Sequence, residues 1–393
     1  MQTTNLKPKA FYFIVALLLF SCANEDIEDI ELIETTNLNE LASAKIIVDD
    51  SLDYGLYWFN EHNESVKGFD ENNNTAIDVA SSYYNASQPT LIFFHGWQPL
   101  SSIQNYNRED FYFDDGNVNT VQFWKDKGWN IAIFYWNQFA DELEVKNAEA
   151  KIWDAENGPK KMRYLLSNGT YSELQSPTQN LADLAANQIN ITVGDNTSNN
   201  VRFAGHSLGA QLATNTAYNI SDRINSGAYP ATLEVDRLEL LDPFWSADDK
   251  SYLENDWTGE RSREYIDTMI SRNNTAITWY SSSLILDIGI GDSNEDLKDK
   301  VAYQSVRPWY VNPVDIIAKH INVRHSYFWS LNFDAPKEVA INWLFQKRDT
   351  GKPAASATTE TARIREMMGD NNYWDQVKGR YTATPEDDEF QIK

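Results

Sequence analysis

The chain has 393 residues, 42% of them hydrophobic and 13% aromatic, which is enough for one large core or two modest ones and excludes disorder throughout. Its net charge of −25 excludes nucleic acid as a partner and attraction to an anionic lipid surface as a means of membrane attachment. With one cysteine in the chain there is no intramolecular disulfide, so stability has to come from the core.

In chain order, Lys7 and Lys9 precede an unbroken apolar run from Ala10 to Phe20, followed by Ser21 and Cys22. The run is too short for a spanning helix, and its basic flank and small residue predict a secretory leader over residues 1–21. Leu19-Phe20-Ser21-Cys22 resembles a bacterial lipoprotein signal, which implies lipidation of Cys22 as the first mature residue. Loss of the leader removes two lysines and no acid, taking the net charge to −27. Acyl chains at Cys22 would hold such a chain on a membrane without help from charge. Residues 22–43, rich in Asp and Glu, read as a solvated tether. The tether resembles the surface-export signal of Bacteroidota lipoproteins, so the expected location is the outer membrane, with the cell surface open to it.

A single domain is expected over 44–393. Lys45 to Val48 and Gly55 to Phe59 are predicted strands, and Glu71-Asn72-Asn73-Asn74 is a turn. Asp70, Asn72 and Asn74 have the spacing of a calcium loop, but Thr75 replaces the needed glycine and no final glutamate follows, so no metal is expected. Pro89 to Phe94 is a continuous apolar run, as in a strand buried on both faces of a parallel sheet, and it stops at His95-Gly96-Trp97. A helix is predicted near Val121 to Lys127, a strand over Asn130 to Trp136, a polar insertion over 140–177, and an amphipathic helix over Thr178 to Val193. Alternating strands and helices predict an α/β fold with a mostly parallel sheet and helices on both faces.

The most informative stretch runs from Asn200 to Thr214. A short apolar run enters Gly205-His206-Ser207-Leu208-Gly209, and helix-forming residues follow. A serine on such a strand-to-helix turn is strained, and the flanking glycines keep side chains away where strand and helix cross. Ser207 is the expected nucleophile, and the amides of Leu208 and Trp97 are the expected oxyanion donors. The competing reading is a glycine-rich turn with a helix-capping serine.

Leu238 to Leu241 is a strand that stops at Asp242-Pro243, where open α/β sheets present catalytic groups, so Asp242 is the expected acid. Asp236 reads as a turn residue, and Asp287 and Asp315 are later alternatives. Of five histidines, His95 and His206 belong to the backbone motifs and His62 to a polar loop, leaving His320 and His325. His320 ends the predicted helix Pro313 to Lys319 and could cap it, whereas His325 immediately precedes an aromatic run that could anchor a helix in the core. His325 is therefore the expected base, giving the chain order Ser, Asp, His.

Phe94-His95-Gly96-Trp97, Tyr135-Trp136, Gly205 to Ala210, Leu241-Asp242-Pro243 and Arg324-His325-Ser326-Tyr327 resemble, in order, the motifs of the pancreatic-lipase-like α/β-hydrolases. The resemblance covers 90–245 and 320–331. It implies an α/β-hydrolase fold, a Ser207, Asp242, His325 triad, oxyanion amides at Trp97 and Leu208, and carboxylic ester hydrolysis with no cofactor. No cysteines staple a lid, and the tail after Asn332 reads as too short and too helical for the β-sandwich of the animal enzymes. Interfacial activation and triglyceride preference are therefore not carried over.

A second insertion near 245–263 could wall the site, and Ala276 to Tyr280 is a further strand. Leu286 to Asp292 bears glycines without dinucleotide-loop spacing, so no cofactor is expected there. Helices are predicted over Lys337 to Gln346 and Thr361 to Met368, and the last dozen residues are expected to fray. The leading reading is a lipase or carboxylesterase acting on a small-molecule or lipid ester. A polysaccharide acyl-esterase, an amidase and a non-catalytic surface binding protein on a hydrolase scaffold are the alternatives.

Overall fold

The architecture follows from a computed structural model, which describes residues 51–393 apart from 104–107, 114–116, 284, 289–290, 343–345 and 370–371. The leader, Cys22, the tether and the predicted strand at Lys45 to Val48 lie outside the described residues.

Twelve strands among the described residues form one sheet. They are β1 (Gly55–Phe59), β2 (Ser65–Lys67), β3 (Thr90–Phe94), β4 (Asn130–Tyr135), β5 (Val201–His206) and β6 (Val235–Leu241), then β7 (Ala276–Ser281), β8 (Ala302–Ser305), β9 (Lys337–Ile341), β10 (Lys347–Pro353), β11 (Tyr373–Lys378) and β12 (Glu389–Ile392). Their spatial order is β10-β9-β12-β11-β8-β7-β6-β5-β3-β4-β1-β2. From β4 through β3, β5, β6, β7 and β8 to β11 every neighbouring pair is parallel, while β1 runs antiparallel to β4.

The apolar run at β3 is buried on both faces, as a parallel strand must be when crossover helices cover it. Ile92 and Phe94 enter one core with Phe134 and Phe203; Leu91 and Phe93 enter the other with Ile131 and Ile133. Each such side chain contributes roughly 1.5–3 kcal/mol on burial, which fixes the strand's facing and register. The first core is covered by helices α2 (Val145–Trp153), α3 (Leu181–Val193), α4 (Leu208–Asn225) and α5 (Thr258–Asn273). The second lies under α1 (Thr120–Asp126), α6 (Ile316–Ser330) and α7 (Thr361–Met367). β3 is flanked by β4 on one side and β5 on the other, so the chain changes winding direction at the carboxyl ends of β3 and β5, the position at which α/β proteins act. The strand order, the antiparallel β1 and the strand-turn-helix at Ser207 together define the α/β-hydrolase fold.

Two expectations for the tail are corrected. Lys337 to Ile341 is a strand rather than a helix, pairing parallel with β12 and antiparallel with β10. The last residues do not fray: β12 pairs with β11, and the Lys393 ammonium reaches the Asp375 carboxylate at 2.8 Å. The reason is non-local. Buried Glu338 accepts from Arg363 Nη2 at 2.6 Å, Trp374 Nε1 at 2.7 Å and Thr350 Oγ1 at 2.8 Å, three partners that exist only once the extension is assembled.

Candidate active site

The turn at Ser207 has φ 56° and ψ −126°, a strained conformation for any side chain but glycine's, and its hydroxyl does not cap α4. The turn survives because the space around it admits nothing larger than a glycine at three places. A Cβ on Gly205 would lie 2.3 Å from Gly209 O, and one on Gly209 would lie 2.0 Å from Phe94 O. A Cβ on Gly96 would lie 2.8 Å from Ser207 Cβ, so the backbone after β3 passes directly against the serine. Strand, helix and loop are thus pressed into one corner, with Ser207 9% exposed.

The amides beside that corner are available. Among the described residues, neither the Trp97 N–H nor the Leu208 N–H has a hydrogen-bond partner. Leu208 opens α4, where the first N–H groups lack intrahelical acceptors and the helix end favours negative charge. The Trp97 side chain is held apart from its amide, its indole Nε1 donating to Glu142 O at 2.7 Å.

His95 and His206 are neutral supports. Burial pushes the His95 imidazole down to about 4; its Nδ1–H donates to Gly96 O at 2.9 Å while Nε2 accepts from Trp136 N at 3.0 Å. The ring therefore clamps the loop that presents Trp97. Burial holds His206 well below the usual imidazole range, and its Nε2–H donates to His320 O at 2.9 Å.

Asp242 stands at the end of β6 with φ 44°, a left-handed conformation that aspartate tolerates better than bulkier residues. Its carboxylate is 3% exposed and faces His320, whose Nδ1 lies 2.8 Å from Asp242 Oδ2. The expectation that His325 is the base is corrected by this geometry. Residues 313–331 hold one helix, α6, which Asp315 caps by accepting from Ala318 N at 2.9 Å, and both histidines ride on it. Five residues on an α-helix turn the side chain by about 140°, so the two cannot face the same carboxylate. His320 lies in the second turn of α6 rather than at a helix end, 6% exposed at the sheet edge. His325 instead stacks on Phe113, ring centroids 4.1 Å apart, and burial with the neighbouring Arg324 drives its imidazole far below the usual range. The signal that could have found His320 was the Asn312-Pro313 start with Asp315 as cap, which carries the helix through the histidine.

Asp236, Asp315 and Asp70 make their hydrogen bonds elsewhere. Asp236 lies in β6, accepting from Val201 N at 3.3 Å, and Asp315 is the helix cap just described. The Asp287 side chain lies outside the described part of the chain. Asp70 accepts from Asn72 N, Asn73 N and Asn73 Nδ2 within its own turn. The insertion supplies a buried carboxylate that was not anticipated: Glu149 of α2 accepts from Gln211 Nε2 at 2.6 Å, Ser246 N at 3.0 Å and Thr258 Oγ1 at 2.9 Å. It ties the second turn of α4 to the loop after Asp242.

The site therefore belongs to the class of α/β-hydrolase folds with an intact strand-end serine, carboxylate and imidazole. No protein-family model matches the chain, and no curated protein matches its sequence. Among solved structures it is similar to esterase B from Lactobacillus rhamnosis, at 12% identity, 75% of each chain covered and a TM-score of 0.24. It is also similar to an esterase of the bacterial hormone-sensitive lipase family, at 8% identity, 72% of this chain and 81% of that one, with a TM-score of 0.25. A thermostable esterase from Pseudomonas putida gives 12% identity, 73% and 82% coverage and a TM-score of 0.24. Likeness of this depth transfers no residue role, so each role is assigned from this chain's own geometry.

Proposed function

We propose that this protein is a serine hydrolase that cleaves carboxylic esters through an acyl-enzyme on Ser207. The observation that carries the reading is the Asp242 and His320 pair at the sheet edge where the strained serine stands. Because His320 Nδ1–H is directed at Asp242, its Nε2 is the free base. Nε2 takes the Ser207 proton as Oγ bonds to the ester carbonyl carbon. The oxyanion so formed receives the Trp97 and Leu208 amides. His320 returns the proton to the departing alkoxide, and the C–O bond breaks to leave the acyl group on Ser207. Water, activated by the same imidazole, then releases the acid. Each amide aimed at the oxyanion contributes on the order of 3 kcal/mol to such a barrier.

Two observations favour catalysis over a binding role on an inert scaffold. Strain at Ser207 is maintained although its hydroxyl does nothing for the helix, and two amides are left unpaired beside it. The substrate is a lipid or small-molecule ester, and the enzyme acts from a membrane anchor at lipidated Cys22, held on the outer membrane by acyl chains.

The test is hydrolysis of nitrophenyl esters from two to sixteen carbons by the wild-type chain and by Ser207→Ala, with fluorophosphonate labelling alongside. Turnover that disappears with Ser207 supports the reading; long-chain preference selects a lipase and acetyl preference a glycan deacylase. A folded protein that neither turns over nor labels would sink it. The anchor is tested separately: Cys22→Ala should release the protein from the membrane fraction.

A further inference from the structure

Asp242 is gripped from one short turn. Just past β7, Ser282 N donates to Asp242 Oδ1 at 2.9 Å, and the Ser283 hydroxyl donates to Asp242 Oδ2. Oδ2 is also the oxygen that faces His320 Nδ1. The neighbouring hydroxyl, Ser282 Oγ, donates to Lys319 O at 2.7 Å, one residue before the imidazole. The Asp242 backbone is tied to the same strand through its N–H to Tyr280 O at 2.7 Å. A two-residue turn thus holds the carboxylate and the base's backbone together, in a setting where Asp242 is almost fully shielded from water.

We propose that Ser283 is a positioning residue of this site, drawing charge from Asp242 Oδ2 and so lowering the basicity of His320. The proposal rests on the hydrolase reading for its catalytic meaning, while its electrostatic content does not. A hydrogen bond to a carboxylate oxygen spreads the charge that would otherwise be concentrated on the atom facing the imidazolium. Removing that hydroxyl leaves Oδ2 with His320 as its remaining hydrogen-bond donor, which strengthens the pair and makes His320 easier to protonate. Geometry fixes the sign because both donors meet the same oxygen.

The other groups facing this pair are not altered by a change at 283. His206, at the end of β5, has its ring 4.5 Å from that of His320 and is kept neutral by burial. Arg324, one turn further along α6, is paired with Glu109. Lys319 directs its ammonium to Pro313 O at 2.9 Å, and Tyr303 of β8, near Asp242, is held in its neutral form by burial.

The experiment uses the full chain labelled with ¹⁵N-histidine, whose five histidines are few enough to assign with a His320→Gln spectrum. In Ser283→Ala the midpoint of the His320 imidazole titration should rise by roughly 0.5–1 pH unit, the scale of one charge-assisted hydrogen bond partly lost. The acid limb of kcat/KM should move up with it. Ser283→Thr should restore the wild-type midpoint, and Ser283→Cys, a weaker donor, should fall between. An unchanged or lowered midpoint in folded Ser283→Ala, or in folded Ser283→Cys if the alanine variant does not fold, overturns the proposal. The imidazole titration is read without substrate, so an inactive wild type would remove the hydrolase reading and still leave this one decided.

Discussion

Two regions of the molecule are stabilised by opposite means. At the carboxyl ends of β3, β5 and β6, tightly spaced glycines, a strained serine and two neutral histidines make a corner whose parts lie within a few residues of one another in each motif. At the other flank, β9 to β12 and the segment 354–359 are held by buried charge. Arg237, fully buried on β6, donates to Thr359 O at 2.6 Å and Ser356 O at 2.8 Å while pairing with Glu239. Arg202 on β5 donates to Ala357 O at 2.9 Å and lies over the Trp129 ring. Gln304 of β8 joins both the carbonyl and the amide of Ala355, at 2.9 Å each. The corner gives up backbone freedom to place atoms; the flank uses side-chain charge to recruit a distant piece of chain. Substitutions in the first should therefore cost turnover and leave stability, and in the second the reverse.

The largest separation of the two is expected from the histidines. His320→Ala should lower kcat/KM by roughly 10³-fold or more, with a melting temperature close to wild type, since it removes the proposed base and little packing. His325→Ala, which removes a stacking partner of Phe113, should lose tenfold or less. Equal losses in two folded variants would undo the assignment of the base. On the flank, Arg237→Ala strands Glu239 in the core and frees two carbonyls, so denaturant unfolding should show a loss of about 3–5 kcal/mol. The Arg237→Met, Glu239→Leu double variant should recover part of it, because the unpaired carboxylate is gone while the two freed carbonyls and the Arg202 charge remain.

Gly96→Ala probes the corner from the oxyanion side. The new methyl would meet Ser207 Cβ, and relief by shifting the loop displaces the Trp97 amide. Its expected cost is on the order of 10²-fold in kcat, with substrate binding less affected. A stability loss without a rate loss would mean that the loop does not present a donor. The smallest effect is a pH one. Burial pushes the Asp388 carboxyl up to about 7, against a donor from Gln376 Nε2 at 2.8 Å. A carboxyl raised on folding adds stability below its unfolded value that is lost as pH rises through the folded one, here from about 4 to about 7. Asp388 is partly accessible, so solvent screening limits this contribution to about 1 kcal/mol. Asp388→Asn should flatten the decline in thermal stability across that window; an undiminished slope would place its origin elsewhere.

How far the sequence could be read follows the same division. The β3 run, the turn at Ser207 and the stop at Asp242 were legible because each couples residues close in sequence: apolar continuity, glycine spacing, an acid at a strand's end. His320 was not, although the helix carrying it was partly seen. Helix periodicity places His320 and His325 on different faces, but nothing in the one-dimensional order says which face meets β6. The tail was misread for a stronger reason. Lys337 to Ile341 has no helix-breaking residue, and its strand state comes from β12, some fifty positions later, and from the Arg363, Trp374 and Thr350 partners of Glu338.

The sequence by itself determined the α/β alternation, the doubly buried strands, the strained turn at Ser207 and the residues flanking it. These are short-range, since a steric exclusion at a glycine or an apolar face at a fixed period is a property of neighbouring residues. Only the tertiary structure decided which imidazole meets Asp242, that both donors on its Oδ2 come from a turn forty residues away and a helix nearly eighty away, and that the tail completes the sheet. Those depend on strand pairing and buried charge between distant segments, whose energy appears once the chain has closed on itself.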